Sequence, residues 1–393
     1  MLTLLRNAQV FAPAALGARD VLVGAGRVLW LGAPGALPAL PGALGAEEVD
    51  LGGLALAPGL IDAHAHLTGG GGEAGPHTRV PPVPLTRFTR AGVTTVVGVL
   101  GTDDLTRTPA EVVAAARGLE VEGLSAWCHT GGYHLPPATI TGSVRGDIVH
   151  VDRVIGVGEV ALSDHRSSQP TFDELARLAS EAHVAGLMTG KAGVVHLHLG
   201  DGPRGLALVR RAVAELEIPP RVWNPTHVNR RRALFDEAVA LARLGCTVDV
   251  TAFPVAEGED AWAADEALER YWAAGAPAER VTVSSDAGGC LPVFDADGRV
   301  AAMDVGEAGA LAETLAALVA RGVPLERALP PFTSNAARLL RLPGKGEVAV
   351  GADADLVTLD PAGRVRDVMA RGRWHVRGGV PVRRGTFEAA PPG

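Results

Sequence analysis

Two histidines separated by one residue form the first group in this sequence that could do chemistry. His64 and His66 belong to the segment Asp62-Ala63-His64-Ala65-His66, which follows the apolar pair Leu60-Ile61. Residues two apart on a β-strand point to the same side, so both imidazoles can share one cation. Two unrelated histidines at a strand end explain the motif equally well, and further residues must decide.

Four more side chains with metal-binding chemistry follow strand-like runs, and these are Glu159, His198, His227 and Asp286. From His66 onward, their separations approach three, one, one and two repeats of about 31 residues, the length of one unit of an eight-fold barrel. Catalytic groups of such barrels gather where the strands end. The candidates would then lie on barrel strands 1, 4, 5, 6 and 8. If these were unrelated core or surface residues, five positions would have to match the ends of barrel strands by coincidence.

Imidazole and carboxylate groups together suit zinc or another borderline first-row divalent ion. Four histidines and two carboxylates exceed one tetrahedral site. They suit two ions that share a bridging carboxylate and a bridging hydroxide, an arrangement that polarises a carbonyl and supplies hydroxide at neutral pH. We therefore expect an enzyme with two divalent metal ions, and zinc is the first candidate.

Alternating strand-like and helical segments occupy the middle of the chain and would position these groups. The strand-like segments are 93–100, 154–157, 194–199, 247–251 and 281–284, and the helical ones are 109–119, 171–185, 205–217, 231–244 and 308–321. This alternation predicts an α/β fold, a (β/α)8 TIM-type barrel over residues 58–344. A doubly wound open sheet is the alternative. It is disfavoured because the run from Gly69 to Gly72 lacks the GxGxxG pattern and no Walker motif occurs.

Both chain ends contain short strand-like runs bounded by glycines, including residues 346–351. We expect residues 1–57 and 345–393 to form one small composite β-sandwich domain beside the barrel.

Composition excludes several classes of protein. The 393 residues have a net charge of −8, and no basic excess exists to neutralise nucleic-acid phosphates. No uncharged apolar window is long enough for a membrane span, and the N-terminal segment lacks an export signal. The three cysteines, Cys128, Cys246 and Cys290, are far apart and form no CxxC motif. These features predict a cytoplasmic protein without disulfides.

Eight local motifs resemble the isoaspartyl dipeptidase family of the amidohydrolase superfamily over nearly the whole chain. They are HAHLTGGGGEAGP (64–76), GVTTVVGVLGTD (92–103), TGGYHLP (130–136), TITGSV (139–144), SDHRS (163–167), HLGD (198–201), PTHVNR (225–230) and SSD (284–286). The HxH motif alone is weak, but GGGGEAGP together with TGGYH, SDHRS and PTHVNR is specific.

The resemblance implies a role for each metal-site residue. His64, His66 and Asp286 would hold one metal ion, and His198 and His227 the other. Asp286 would also move a proton from the bridging hydroxide to the leaving amine.

The resemblance also implies substrate contacts. Tyr133 would stabilise the oxyanion, Glu73 would pair with the substrate α-amino group, Arg166 and Arg230 would bind carboxylate, and Thr102 would contact substrate from its loop. Alternatives remain open: Glu73 as a solvated loop acid, Tyr133 as a packed ring, and Arg166 or Arg230 in structural ion pairs with Asp164 or Asp201.

The sequence departs from the family pattern at two positions. Glu159 stands where a carboxylated lysine is expected, with one extra residue between Arg153 and Arg166, and we expect it to bridge the two ions. Lys191, in a loop-like segment, is a poor substitute. Cys290 replaces a serine that would touch the substrate carboxylate, and a thiol is a weaker donor.

One further histidine, His196, lies two residues before His198 on the same face, and we interpret it as a core residue and not a ligand.

The sequence thus predicts a metallopeptidase that hydrolyses β-aspartyl dipeptides and, as the family suggests, assembles as a multimer of dimers. A cyclic-amide hydrolase of the hydantoinase or dihydroorotase type is the alternative, although an amine-pairing glutamate has little use there. A non-catalytic scaffold is a more distant alternative, because no ligand is missing.

Overall fold

The computed structural model describes residues 2–38, 45–294 and 300–389. Its strands are β1 (Leu2–Phe11), β2 (Ala15–Gly24), β3 (Arg27–Gly32), β4 (Glu47–Asp50), β5 (Ala55–Pro58), β6 (Leu60–Ala65), β7 (Val93–Gly98), β8 (Ser125–Thr130), β9 (Val154–Leu162), β10 (Val194–Leu199), β11 (Trp223–Thr226), β12 (Val248–Thr251), β13 (Val281–Ser284), β14 (Cys290–Phe294), β15 (Val300–Val305), β16 (Leu356–Leu359), β17 (Val365–Ala370), β18 (Arg373–Arg377) and β19 (Val380–Pro381).

The α-helices of the same residues alternate with the central strands. They are α1 (Leu85–Arg90), α2 (Pro109–Glu122), α3 (Val144–His150), α4 (Phe172–Thr189), α5 (Ala207–Glu215), α6 (Arg232–Arg243), α7 (Ala264–Ala273), α8 (Gly309–Ala320), α9 (Leu325–Ala328) and α10 (Ser334–Leu340). Two of the longest begin at a capping box, in which Thr108 pairs with Glu111 and Thr171 with Glu174. In each box the two side chains accept hydrogen bonds from backbone N–H groups that have no partner within the first turn of the helix. No helix described is long and apolar enough to cross a membrane.

Six parallel strands form a curled sheet in the order β11-β10-β9-β8-β7-β6, and β12 pairs in parallel with β13. The strand order follows the chain without the reversal that a doubly wound sheet requires. The amide of Asp286 donates to His64 O (3.2 Å) and that of His66 to Ala287 O (2.7 Å), which joins the end of β13 to β6. The arrangement fits a TIM-type barrel.

A buried aspartate links three of the later strands. The carboxylate of Asp249 on β12 accepts hydrogen bonds from Thr226 Oγ1 at 2.7 Å, Thr282 Oγ1 at 2.6 Å and Ser284 Oγ at 2.5 Å. Burial raises the pKa of this carboxyl group, and the three hydroxyl donors compensate for part of its lost hydration. The side chain therefore fixes the relative positions of β11, β12 and β13 beneath the strand ends.

Strands from both chain ends share one nine-stranded sheet. Its order is β19-β18-β17-β16-β5-β1-β2-β3, with β4 beside β1, and β16 pairs antiparallel with β5 from Leu356↔Pro58 to Leu359↔Ala55. The sheet has its own apolar cluster, which includes Leu5, Val21 and Met369. Pairing of the two ends is therefore confirmed, whereas the sandwich arrangement and the boundaries at residues 57 and 344 stay predictions.

Two local expectations are wrong. Residues 346–351 form turns instead of a strand; Val348 packs into the small apolar cluster, and the amide of Gly351 donates to Val28 O at 2.8 Å. Strand β9 continues to Leu162, so Glu159 lies inside this strand and not at its end.

A β-bulge displaces the backbone of β9 next to Glu159. Val157 pairs with Val195 and Val160 with Leu197, so Gly158 and Glu159 together oppose the single residue His196. A Cβ atom on Gly158 would lie 2.6 Å from His196 O and 2.7 Å from His196 Cβ. The bulge therefore requires glycine at this position.

We expect Gly158→Ala to lower the free energy of unfolding by about 1–3 kcal/mol, because the methyl group must push β9 and β10 apart. Chemical denaturation measures the change. Gly118→Ala is the matched control: Gly118 is exposed on α2, nothing lies within 4 Å of its added Cβ, and the change should stabilise by up to about 1 kcal/mol. Equal stability of Gly158→Ala and the unaltered protein would contradict the steric argument.

Candidate metal centre

His64 and His66 are buried at the end of β6 and face the same two carboxylates. His66 Nε2 lies 3.3 Å from Glu159 Oε1 and 3.1 Å from Asp286 Oδ1. The corresponding distances from His64 Nε2 are 3.6 Å and 3.3 Å. The alternation of a strand thus aims both imidazoles at one point, as the HxH spacing indicates.

The second pair of imidazoles lies on the other side of Glu159. His198, on β10, has Nδ1 3.0 Å from Glu159 Oε2, and His227, directly after β11, has Nε2 3.4 Å from the same oxygen. One carboxylate therefore presents Oε1 to the first pair and Oε2 to the second. His227 and Asp286 both have left-handed backbone, with φ of +60° and +54°, which is uncommon for residues other than glycine and is concentrated at functional sites.

The six side chains form three overlapping groups of potential metal ligands, in each of which the ligand atoms lie within 4.8 Å of one another. The groups are His64, His66 and Glu159; His64, His227 and Asp286; and Glu159, His198 and His227. All six side chains are buried. The structure thus brings together every residue that the sequence proposes as a metal ligand.

The charges of the unliganded groups indicate a cation site. Despite burial, which opposes ionisation, neighbouring imidazoles hold the pKa of Glu159 and that of Asp286 below the usual range. The pKa of His66 is raised to about 10 against the effect of burial, because both carboxylates contact it. His64 Nε2 and Asp286 Oδ1 lie 3.3 Å apart, yet neither buried atom has the geometry of a hydrogen bond with any described residue. A divalent cation would neutralise these carboxylates and satisfy both atoms, so the donor set fits the metal that the sequence predicts.

A hydrogen-bonded relay orients His64. Asn224 Nδ2 donates to Thr247 O at 2.8 Å, which turns Asn224 Oδ1 toward His196 Nδ1 at 2.7 Å. His196 Nε2 in turn lies 2.7 Å from His64 Nδ1. Since Asn224 Oδ1 only accepts, a neutral His196 carries its proton on Nδ1 and accepts one from His64. Burial lowers the pKa of His196 far below its ordinary value, so His196 is neutral. A neutral His64 then has its proton on Nδ1, which leaves the lone pair of Nε2 for a metal ion.

Neither lysine of the chain can reach the centre. Lys191 Nζ donates to Ile148 O and Val151 O, both at 2.6 Å. Lys345 Nζ lies 2.5 Å from Asp355 Oδ2 and 2.9 Å from Asp353 Oδ2. Glu159 is therefore the group between the two imidazole pairs.

A cavity of about 480 Å³ opens onto the centre and brings the expected substrate contacts to one place. Its lining includes Glu73, Thr102, Tyr133, Arg166, Arg230 and Cys290 together with five of the six metal-ligand candidates. His64 lies behind that lining, fully buried.

Glu73 is not a freely solvated loop acid. Its Oε1 accepts hydrogen bonds from Thr102 Oγ1 at 3.0 Å and Arg166 NH1 at 3.3 Å. Its Oε2 is buried and has no hydrogen-bond partner among the described residues. A carboxylate oxygen without a partner next to an open cavity is suited to a ligand cation or donor.

Both arginines make the ion pairs that the sequence left open. Arg166 donates to Asp164 from Nε at 3.0 Å and from NH2 at 2.8 Å. Arg230 contacts Asp201 through Nε at 2.9 Å and through NH2 at 3.3 Å. Since both also line the cavity, an ion pair and a substrate contact are compatible for either residue.

Tyr133 and Cys290 are protonated donors at neutral pH. The Tyr133 hydroxyl is buried 2.9 Å from His198 Nδ1, and burial raises the pKa of this phenol well above its ordinary value. Burial also raises the pKa of the Cys290 thiol to about 12. The ring of Tyr133 is thus packed, and its hydroxyl also contacts the metal-ligand candidate His198. A packed ring and a hydroxyl that acts in the site are therefore compatible.

Three buried polar residues that contact the imidazoles lie outside the set of site residues predicted from the sequence. Asn224 acts on His196, Thr251 Oγ1 lies 2.8 Å from His227 Nδ1, and Asp164 Oδ2 lies 3.1 Å from His198 Nε2. All three are buried. Asn224 lies three residues before His227 and Asp164 five residues after Glu159, and this closeness in the chain to candidate ligands was the one available signal.

Comparison with known proteins agrees with this geometry. The model of the amidohydrolase family matches residues 55–375. A solved β-aspartyl dipeptidase from the thermophilic, keratin-degrading Fervidobacterium islandicum AW-1, determined in complex with the β-Asp-Leu dipeptide, is 40% identical. It superposes with a TM-score of 0.90 over 97% of this chain and 97% of that one.

Two curated relatives carry a different name. An imidazolonepropionase from Anaeromyxobacter sp. (strain K) is 30% identical over 360 residues, which are 84% of this chain and 81% of that protein. The imidazolonepropionase of Ralstonia nicotianae matches at 41% over only 95 residues, 24% of this chain and 22% of that protein.

We expect Glu159→Gln to lose most of one metal ion per chain, because a neutral amide cannot offset charge between two dications. Elemental analysis of purified, zinc-loaded protein measures the metal content. Asp147→Asn is the control, because Asp147 is a buried acid of α3 whose hydrogen-bond partners, Thr130, Ile140 and Thr141, are not candidate ligands. A Glu159→Gln protein that keeps the same metal content and turnover as the unaltered chain would rule out the bridge.

Proposed function

Since the chain belongs to the amidohydrolase family, we propose that it is a metal-dependent hydrolase that cleaves β-aspartyl dipeptides. The observation that supports this substrate is that the buried Oε2 of Glu73 has no hydrogen-bond partner among the described residues. In a β-aspartyl dipeptide the α-ammonium group lies two carbon atoms from the scissile carbonyl carbon. A carboxylate fixed beside the metal-ligand candidates can recognise that ammonium group.

The six metal-ligand candidates would hold two divalent ions, with Glu159 between them. When bound, such ions would polarise the amide carbonyl and supply hydroxide at neutral pH. The chain itself provides the other steps. Arg166 and Arg230 would orient the substrate carboxylates, for which guanidinium groups are suited, and Cys290 would make a weak contact from β14.

Asp286 would move the proton from the attacking water to the leaving nitrogen. Its carboxylate lines the cavity and, despite burial, has a lowered pKa because His64 and His66 contact it. It is therefore ionised before the reaction and able to accept that proton.

A cyclic-amide hydrolase is the second candidate, favoured by the name of the two curated relatives. A cyclic amide has no free ammonium group beside its scissile bond, so it would leave Glu73 Oε2 without a partner. Burying an unpaired carboxylate oxygen is costly, which favours the dipeptide.

The decisive measurement compares substrates with purified, zinc-loaded protein. We expect hydrolysis of β-Asp-Leu and little action on α-Asp-Leu, dihydroorotate, hydantoin or imidazolonepropionate, because among these only β-Asp-Leu has an ammonium group two carbon atoms away from the scissile carbonyl carbon. Glu73→Gln should lower kcat/KM for β-Asp-Leu about 10- to 100-fold, the value of a hydrogen bond to a charged group. Glu259→Gln, a second acid in the cavity lining, is the control. Equal or faster turnover of a ring substrate would refute the dipeptidase assignment.

We expect Tyr133→Phe to lower turnover of β-Asp-Leu by about 10²–10³-fold, the usual effect of removing one oxyanion donor. Its hydroxyl stays protonated at neutral pH, and the phenylalanine ring keeps the packing. Steady-state kinetics measure the loss, and elemental analysis should show unchanged metal content because Tyr133 is not a proposed ligand. Near-normal turnover would remove Tyr133 from the mechanism.

A further inference from the structure

Asp164 is a buried carboxylate that contacts both a candidate metal ligand and a candidate substrate residue. It follows β9, and its side chain is 4% exposed. Its Oδ2 lies 3.1 Å from His198 Nε2 and 2.8 Å from Arg166 NH2, while Oδ1 accepts from Arg166 Nε at 3.0 Å and from the Arg166 amide at 2.8 Å. Its two oxygens face the guanidinium of Arg166 together, which is the geometry of a carboxylate that accepts from both oxygens.

The contact with His198 determines which ring nitrogen can bind a metal ion. Carboxylates face both ring nitrogens, Glu159 at Nδ1 and Asp164 at Nε2. With a metal ion beside Glu159, a neutral His198 would carry its proton on Nε2, where Asp164 accepts it. Arg166 NH2 also lies near this nitrogen, but at 3.4 Å, farther than the carboxylate. The lone pair is then on Nδ1, which lies 3.0 Å from Glu159 Oε2. This arrangement gives His198 the tautomer needed for a ligand beside the bridging carboxylate.

The contact with Arg166 extends this series of side-chain contacts to the substrate side of the cavity. Arg166 NH1 lies 3.3 Å from Glu73 Oε1, which Thr102 Oγ1 also contacts at 3.0 Å. The sequence of contacts is thus His198, Asp164, Arg166 and Glu73, and the side chains of these four residues are at most 11% exposed. A substitution at Asp164 would therefore affect both the candidate metal ligand His198 and the candidate substrate contact Glu73.

We propose that Asp164 is a positioning residue of the metal centre, which fixes the His198 tautomer and at the same time holds Arg166 against Glu73. The first part concerns the metal site alone, and the second part rests on the proposed function. A purely structural ion pair between Asp164 and Arg166 is the competing explanation. The Asp201–Arg230 pair separates the two, because it has the same chemistry in the same cavity and Asp201 contacts no candidate metal ligand in the described parts of the chain.

The test measures how tightly each protein retains Zn²⁺ in competition with a chelator. In Asp164→Asn the amide can present its NH2 group to the ring, which permits the wrong tautomer, and we expect Zn²⁺ affinity to fall about 10- to 100-fold, as for other orienting partners of metal ligands. Asp201→Asn should retain Zn²⁺ like the unaltered protein. Arg166→Gln should raise KM for β-Asp-Leu while changing Zn²⁺ affinity much less than Asp164→Asn does.

Unchanged Zn²⁺ affinity in Asp164→Asn, or an equal loss in Asp201→Asn, would overturn the proposal. Circular dichroism and thermal unfolding verify that each variant is folded, and Asp164→Ser takes the same test if Asp164→Asn does not fold. The Zn²⁺ measurement requires no substrate. It therefore decides the role of Asp164 even if the protein fails to hydrolyse β-Asp-Leu, a result that would refute only the proposed function.

Discussion

The position of the Glu159 carboxylate between two pairs of imidazoles is the constraint on which the rest of the site depends. Its oxygens lie 3.0–3.6 Å from ring nitrogens of four histidines on three different strands or strand ends. Burying this many donor atoms without a cation is unfavourable, because lone pairs and negative charge lose hydration without gaining a partner. A bound cation would compensate for that cost, and the buried network of orienting hydrogen bonds would hold the donors in place before it arrives.

That orienting network explains why the barrel interior is polar directly beneath the centre. His196 and Asn224 act on His64, Thr251 on His227, and Asp164 on His198. Each contact leaves the other ring nitrogen facing the site, so groups outside the set of candidate ligands determine the arrangement of protons. Among the described residues, Asp249 forms no hydrogen bond with the imidazoles of this network. Its hydrogen bonds with three hydroxyl donors align the strands that precede His227 and Asp286. Stability and chemistry therefore depend on the same layer of buried polar residues.

Residues that follow a regular spacing in the chain can be predicted from the sequence. Side-chain contacts between neighbouring strands cannot. Period-two spacing places His64 and His66 on one face, and the approximate 31-residue repeat places the other candidates at the same end of a parallel sheet. Asn224 and Thr251 have no comparable signal, because a hydrogen bond between strands leaves no regular spacing in the chain. The error at residues 346–351 has a similar origin: alternating Val and Ala residues favour a strand, but Val348 packs as a single side chain while the backbone turns. Two β-rich ends are visible in the sequence, and only the backbone pairing of β5 with β16 shows that they share a sheet.

The bulge in β9 gives a physical reason for a glutamate where the family pattern expects a longer, carboxylated lysine. A glutamate side chain is shorter, so its carboxylate can reach both imidazole pairs only if the backbone comes closer to the barrel axis. In the bulge, Gly158 and Glu159 together oppose His196, and the absence of a side chain on Gly158 permits the close approach to His196. This is where the extra residue that the resemblance implies between Arg153 and Arg166 would fit. On that interpretation the glycine and the glutamate depend on each other, and replacing the glutamate by lysine would place a longer side chain on the same bulged backbone. We therefore expect that a single substitution does not exchange a glutamate bridge for a carboxylated lysine.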